Sequence, residues 1–350
     1  MIVKDNVALA PLTTIGVGGP ARYFAEASSE RDIREAVDFV QSKQVPLFVL
    51  GGGSNLVVAD TGFPGLVLKI GLRGIEESAA RDQRLFQVGA GEDWDAFVAH
   101  AVSQNCAGIE CLSGIPGTVG ATPVQNVGAY GQEVADTIVM VYALDLTNGL
   151  VRELTPEQCG FAYRTSLFNT TERNRFIILG VRFALKPGGT STVEYRDLKN
   201  HFAGRSAPPS LQEVRDAVRQ IRHTKAMLIV TGDEDARSAG SFFKNPIVTG
   251  AKFSDVEAIA ISRDVKVPSF PAEEGHVKVP AAWLVEQSGF AKGYTRGPVG
   301  ISRRHALAIV NRGGAKATDV VALKDEIQRA VRDQFGIELK PEPVFVGFED

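Results

Sequence analysis

The stretch Leu112-Ser-Gly-Ile-Pro-Gly-Thr-Val-Gly-Ala-Thr-Pro-Val-Gln-Asn-Val-Gly-Ala-Tyr-Gly131 decides how this chain is read. Glycines recur at 114, 117, 120, 128 and 131, and prolines stand at 116 and 123. Glycine is entropically costly inside regular structure and proline lacks a backbone donor, so neither a helix nor a strand of ordinary length fits. Yet no side chain in the stretch is charged, which makes it a poor surface loop. Such a backbone is suited to wrapping an aromatic ligand with hydrogen-bonding edges. The alternative is an unusually apolar Ω-type loop.

Toward the N-terminus, Gly51-Gly52-Gly53-Ser54-Asn55 directly follows the apolar run Leu47-Phe48-Val49-Leu50. Glycines let backbone N–H groups turn inward and let a phosphate approach closely, while Ser and Asn add donors. The run is a candidate pyrophosphate cradle, with a plain tight turn as its alternative. It is not a P-loop, because GxxxxGK[ST] is absent. Gly16-x-Gly18-x-x-Ala21 matches the Rossmann fingerprint on paper, but Pro20 sits inside the match and strand-like Arg22-Tyr23-Phe24 follows it instead of a helix. A flavin ring with its diphosphate suits the two glycine-dense stretches.

With 350 residues, 44% of them hydrophobic, the chain can bury a large core and divide into two or three domains. The formal net charge of -3 argues against a nucleic-acid binder, and an anionic ligand must be met by a local basic cluster. Cys106, Cys111 and Cys159 form neither a CxxC pair nor a zinc-finger spacing and read as reduced, buried thiols; no metal is expected. The opening MIVKDNVALAPL lacks a signal-peptide pattern, and the densest apolar run, 137–146, is too short for a bilayer. A soluble, cytoplasmic protein is expected.

Hydrophobic period and capping place the elements. Ser29 with Asp32 starts a helix carrying Ile33, Ala36, Val37 and Val40 and ending at Gln44; 47–50, 57–58 and 66–68 read as strands. The region 71–224 reads as β-rich, with an early helix carrying Trp94, Phe97, Val98 and Ala101, strands at 138–146 and 176–185, and a helix from the capping box Ser210-x-x-Glu213 toward Lys225. After the turn-like Gly232-Asp-Glu-Asp235 come a helix near 281–288, a strand at 307–310 and a helix over 318–335 stopped by Gly336. Pro341-Glu342-Pro343 cannot be helical.

Other runs carry possible chemistry. Gly240-Ser241-Phe-Phe-Lys244-Asn245-Pro246 sets a hydroxyl, an ammonium and an amide among aromatics, and no GxSxG elbow surrounds Ser241. Arg164 and Glu342 by themselves read equally as solvated surface charges. Arg222, His223 and Lys225 form a basic cluster at a helix end, where the macrodipole alone attracts cations.

In order along the chain, Gly51-Gly-Gly-Ser-Asn55, Gly114-Ile-Pro-Gly117, Pro123-Val-Gln-Asn-Val-Gly-Ala-Tyr-Gly131, Tyr163-Arg164-Thr-Ser166, Gly240-Ser-Phe-Phe-Lys-Asn-Pro246 and Pro341-Glu342-Pro343 resemble the signatures of the UDP-N-acetylenolpyruvoylglucosamine reductases. The resemblance implies an α+β fold: a two-part FAD-binding unit of the vanillyl-alcohol-oxidase (PCMH) type and a C-terminal α/β substrate-binding domain. Residues 1–70 and 71–224 would be the two FAD-binding parts, with the tail 337–350 on or near the first, and 225–336 the substrate domain. FAD would be held by Gly51, Gly52, Gly53, Ser54 and Asn55, and by Gly114, Ile115, Pro116, Gly117, Thr118, Gly120, Asn126, Gly128, Ala129 and Tyr130. No His or Cys lies in either loop, so the flavin is expected to be non-covalent.

The implied reaction is reduction of UDP-N-acetylglucosamine enolpyruvate to UDP-N-acetylmuramate in peptidoglycan precursor synthesis. In the family NADPH reduces the flavin and leaves; hydride then passes from flavin N5 to C3 of the enolpyruvyl group, and a Ser hydroxyl protonates C2. By position that Ser is Ser241. Arg164 suits the charge that gathers on the substrate carboxylate. Glu342, the third catalytic position, helps only when protonated, because an ionised Glu opposes that charge. Tyr195, Lys225, Lys244 and Asn245 match substrate contacts, and Tyr195 would lie in a covering loop around 194–198. His305 stands where the resemblance implies Gln. Residues 199–209 and 228–239 are longer than the family pattern. A monomer is the family habit. Two other readings remain at this stage: an FAD-dependent oxidase of a small alcohol, which leaves the 240–246 and 341–343 runs unexplained, and a catalytically inactive nucleotide-sugar binder, which has no need of Ser241, Arg164 or Glu342.

Overall fold

A computed structural model describes residues 1–348. The chain divides into two compact units, the first made of Met1–Val7, Ala21–Gly53 and Pro64–Leu228, the second of Ala8–Pro20, Ser54–Phe63 and the chain from Ile229 onward.

In the first unit the Ser29 hydroxyl accepts the Asp32 amide and the Asp32 carboxylate accepts the Ser29 amide, so the helix Glu30–Lys43 begins where the capping box predicts. It buries Ile33, Ala36 and Val40 in one core with Ala25, Ala27, Leu66 and Leu68. The sheet beside it runs in the order Lys4–Ala8, Pro20–Ala27, Phe63–Ile70, Leu47–Leu50. Leu47–Leu50 pairs parallel with Phe63–Ile70, which brings the strand before the glycine run into the core.

A larger antiparallel sheet follows, in the order Leu150–Leu154, Ile138–Asp145, Phe176–Pro187, Gln83–Gly89, Ile75–Ala80. The helix Trp94–Ser103 lays its apolar face on it. Trp94 and Phe97 meet Phe183 with ring centroids 5.8 and 5.1 Å apart. All three are fully buried, and burial of such a ring contributes about 1.5–3 kcal/mol. The helix Leu211–Thr224 starts at the Ser210–Glu213 capping box, as its sequence requires. Where the sequence implied a covering loop, a short helix Arg196–His201 forms with Tyr195 as its N-cap residue.

In the second unit the helices Gly250–Ser262, Ala281–Gln287 and Ala317–Phe335 share a core with the antiparallel strands Val299–Ile301 and Ile309–Asn311. Gly336, at φ 61°, ends the last helix in the left-handed region that glycine tolerates. Its first turn is held by Asp60, which accepts the Ala317 and Thr318 amides at 2.7 and 3.0 Å. Leu56–Val58 pairs parallel with Val344–Val346. Two departures from expectation have plain causes. The strand expected at 307–310 starts at Ile309, because Leu307 spends its carbonyl on Phe242 and its amide on the His305 side chain. The helix Gly250–Ser262 buries only Val256 and Ala260, so its stripe is too narrow to announce it.

Candidate active site

The two glycine-dense stretches meet. A Cβ built on Gly52 would lie 2.5 Å from the Gly117 Cα, and one on Gly51 would lie 2.8 Å from the Thr118 Oγ1. Only glycine permits that approach. A cavity of about 210 Å³ opens there, lined by Gly51, Thr118, Gly120, Ala121 and Val124 together with apolar groups such as Val49, Ile70, Phe168 and Phe176. The 112–131 stretch is no free Ω-loop. Its start is tied to the Trp94 helix: the indole Nε1 donates to Leu112 O at 3.0 Å, the Trp94 amide to Gly117 O at 3.1 Å, and the Val119 amide to Glu92 O at 2.9 Å. Glu110, fully buried, accepts from the Gly108 amide, the Thr192 amide and Gln132 Nε2, and Gln132 in turn accepts the Cys111 amide.

Ser54 and Asn55 fall in the second unit. Asn55 Nδ2 donates to Glu342 O at 3.2 Å, and its carbonyl accepts the Val344 amide at 2.9 Å. These bonds seat the C-terminal segment.

Farther along the first unit, Asn126, Tyr130 and Arg164 all hold φ near +50°. Each costs about 1–2 kcal/mol for a non-glycine residue. The offset is visible. Asn126 donates to Glu133 Oε2 at 2.8 Å and to Ala162 O at 3.2 Å, and accepts the Ala135 amide. Arg164 donates from Nη2 to Gly128 O at 2.7 Å, a charge-assisted bond contributing about 1.5–3 kcal/mol. Ser166 Oγ donates to Val124 O at 2.7 Å. The 163–166 turn is thus stitched to the glycine stretch, and Arg164 sits at Gly128.

Tyr130 meets Tyr195 edge to face at 5.4 Å. Lys225 Nζ donates to Asp197 Oδ2 at 2.5 Å. Burial works against the Lys225 ammonium, but the Asp197 hydrogen bond and the nearby Tyr130 outweigh it and raise its pKa. Burial also pushes the Tyr130 hydroxyl up, against the opposing pull of Arg222 and Lys225. Arg222 is buried, and desolvation lowers its pKa against the opposing influence of Tyr130; it donates from Nε to Gly114 O at 3.1 Å and from Nη2 to Met227 O at 2.8 Å. Of the basic cluster at that helix end, Arg222 and Lys225 are committed to tertiary contacts, as a solvated helix terminus would not be.

In the second unit Ser241 is half-buried between Gly240, at φ 75°, and the buried Phe242 and Phe243. Phe243 bridges Pro341 antiparallel; the Glu342 amide donates to Phe242 O at 2.9 Å and the Lys244 amide to Lys340 O at 3.0 Å. The structure therefore brings the 240–246 and 341–343 runs together through one antiparallel bridge and its flanking backbone hydrogen bonds. Asn245 spends its Oδ1 on the Ala281 amide at 2.9 Å, capping a helix. His305 Nδ1 accepts the Leu307 amide at 3.0 Å, and Leu307 O accepts the Phe242 amide at 2.8 Å, so the His305 turn abuts the Ser241 strand.

Two carboxylates at these clusters were missed in sequence: Asp197, opposite Lys225, and Asp95, opposite Arg215 and Arg219. Each sits in the first turn of a helix, where an acid needs no tertiary explanation. The three cysteines are buried and free, with Cys159 pushed up to about 12 by desolvation, so they are inert packing thiols. Among the described residues no His, Cys, Asp and Glu group could hold a metal, and no helix is long and apolar enough to cross a membrane.

An FAD-binding domain family matches residues 21–155, and the family described as UDP-N-acetylenolpyruvoylglucosamine reductase, C-terminal domain, matches 233–346. UDP-N-acetylenolpyruvoylglucosamine reductase of Thermobifida fusca (strain YX) is 45% identical over 98% of this chain and 97% of its own length. The chain belongs to the UDP-N-acetylenolpyruvoylglucosamine reductase family. The enzyme of that name from Nocardia farcinica is 44% identical over 99% of this chain and 90% of its own. The crystal structure of UDP-N-acetylenolpyruvylglucosamine reductase from Thermus caldophilus superimposes with a TM-score of 0.66 at 26% identity, covering 99% of both chains. As a member of this reductase family the chain is a flavin-dependent oxidoreductase with FAD as cofactor and NADPH as reductant. Its residues fit that group: a cavity lined largely by apolar side chains suits an aromatic ring, and the glycine run at 51–53 beside it allows a diphosphate close approach.

Proposed function

We propose that the chain carries out NADPH-dependent reduction of UDP-N-acetylglucosamine enolpyruvate to UDP-N-acetylmuramate, working as a monomer in the cytoplasm, with Arg164, Ser241 and Glu342 as its catalytic residues. The observation that carries the reading is the approach of Gly52 to Gly117 beside a cavity lined by their neighbours Gly51 and Thr118, in a chain of this family. FAD, when bound, supplies a hydride relay from NADPH to C3 of the enolpyruvyl group. Gly51, Gly52 and Gly53, with 114–120, would hold it non-covalently.

The remaining work belongs to side chains. Addition of hydride at C3 drives negative charge through C2 onto the substrate carboxylate. Arg164, fixed by its bond to Gly128 O, offers a guanidinium that meets a carboxylate with paired donors. Glu342, when protonated, donates a second hydrogen bond to the same charge. Ser241 Oγ delivers its proton to C2. A free hydroxyl is too weak an acid near neutral pH, so the developing carbanion and a polarising Lys244 ammonium are both needed. Lys225 and Tyr195 bind the diphosphate end of the substrate: the ammonium exchanges Asp197 for phosphate, and the Tyr195 ring, half-exposed on Tyr130, closes over it. Asn245 and His305 support the segment that carries Ser241, through the Ala281 amide and the Leu307 turn.

The test is anaerobic. NADPH should bleach the visible flavin band of the purified protein, and the enolpyruvyl substrate should then restore it. Bleaching by a small alcohol, with no response to NADPH, would make the protein an oxidase instead.

A further inference from the structure

Gly114 is held by both of its peptide groups. Its amide donates to Asp95 Oδ1 at 2.6 Å, and its carbonyl accepts Arg222 Nε at 3.1 Å. Its φ of 71° allows the backbone to turn between the two. The same Asp95 carboxylate accepts Arg215 Nη1 at 2.6 Å and Nη2 at 3.1 Å, a bidentate pair, and pairs with Arg219 as well. Arg215, Arg219 and Arg222 stand at helical spacing, so they form one cationic stripe on Leu211–Thr224 facing the loop.

From this geometry we infer that Asp95 is a positioning residue: one carboxylate sets the 114–117 loop, which leads directly into the cavity-lining Thr118, against the helix that carries Arg222 and ends at Lys225. The chemistry favours a coupling role over mere surface pairing. Arg215 is 10% exposed, and removing one partner of a buried pair leaves an uncompensated charge. An aspartate at this point in a helix could as well have faced solvent and met only the macrodipole. Here it faces the glycine loop and two guanidinium groups. Moving it would let the 114–117 loop and the Lys225 helix shift independently. The inference rests on the reading that 114–117 holds flavin and Lys225 the substrate.

Two substitutions separate its parts. In Asp95→Asn the amide oxygen still accepts the Gly114 N–H, but the negative charge opposite Arg215 and Arg219 is gone. The expected result is FAD affinity within about threefold of the parent, with KM for the enolpyruvyl nucleotide raised about tenfold and kcat little changed, since a tenfold change corresponds to one charged contact. In Asp95→Ala both links are lost, so FAD affinity falls about tenfold or more and the visible flavin band shifts. FAD binding is read by quenching of flavin fluorescence, and folding by far-ultraviolet circular dichroism. Unchanged KM in the Asn variant overturns the inference, as does a folded Ala variant that binds FAD like the parent. If the Ala variant does not fold, the KM-against-kcat split of the Asn variant decides. A parent protein that takes up no flavin sinks the functional reading itself, a different outcome from either.

Discussion

The Glu342 amide donates to the Phe242 carbonyl at 2.9 Å, which places Glu342 across an antiparallel bridge from the neighbour of Ser241. The pairing is made by backbone, so side-chain changes at either position leave it standing. Ser241→Ala should therefore fold as the parent does and lower kcat for substrate reduction by about 10²–10⁴-fold, the usual contribution of a positioned proton donor. Flavin reduction by NADPH should proceed at the parental rate, because it precedes protonation. Stopped-flow measurement of both half-reactions checks this, and a parental rate in the second half-reaction refutes the role of Ser241.

Gly52 predicts a different failure. A methyl group there meets the Gly117 Cα at 2.5 Å, backbone that has no flexible end to yield. Gly52→Ala should cost roughly 1–3 kcal/mol through overpacking and should purify without yellow colour. Retention of stoichiometric FAD by the Ala variant would show that the two loops can separate without loss of the cradle.

Tyr195 stacks edge to face on Tyr130 and begins the helix that carries Asp197. Its ring is more than a third exposed, so its removal should cost little stability. Tyr195→Ala should raise KM for the nucleotide substrate several-fold while leaving NADPH oxidation by an artificial electron acceptor unchanged. A proportional loss in both assays would assign Tyr195 to the flavin site instead.

Asp145 is buried at the end of its strand and accepts from Arg175 Nε and Nη2 at 3.1 and 2.8 Å and from Thr147 Oγ1 at 2.7 Å. Arg175 foremost, then Thr147, holds its carboxyl well below the usual range. A depressed folded pKa means that the unfolded chain takes up the proton first as pH falls. The stabilisation is therefore full above about pH 4, the unfolded value, and is lost as pH drops toward the folded one. Asp145→Asn should lower the urea midpoint strongly at about pH 7 and less at about pH 3. Equal differences at both pH values would mean that the carboxylate is not the source of the effect.

Much of the fold was legible because its signals are local. The capping boxes at Ser29 and Ser210, the stop at Gly336 and the Trp94-Phe97 face each act within a few residues, and each element forms where those residues put it. The helix Gly250–Ser262 was silent, since it buries only Val256 and Ala260 and offers little contrast between its faces. Arg164 and Arg222 were visible as charges, but their partners, the Gly128 and Gly114 carbonyls, are backbone atoms that no side-chain pattern encodes.

By itself the sequence determined the composition of the proposed site. Glycine at 52, 114 and 117 permits close backbone approach, and a hydroxyl, a guanidinium and a carboxylate stand at 241, 164 and 342. Tertiary structure alone decided what those residues face: that Gly52 abuts Gly117, that Asp95 turns to Gly114 and Arg215, and that Glu342 pairs beside Ser241. Conformational freedom and capping depend on neighbours along the chain, which the sequence states outright. Contacts between segments far apart in sequence depend on how the cores pack, and only the folded chain expresses that.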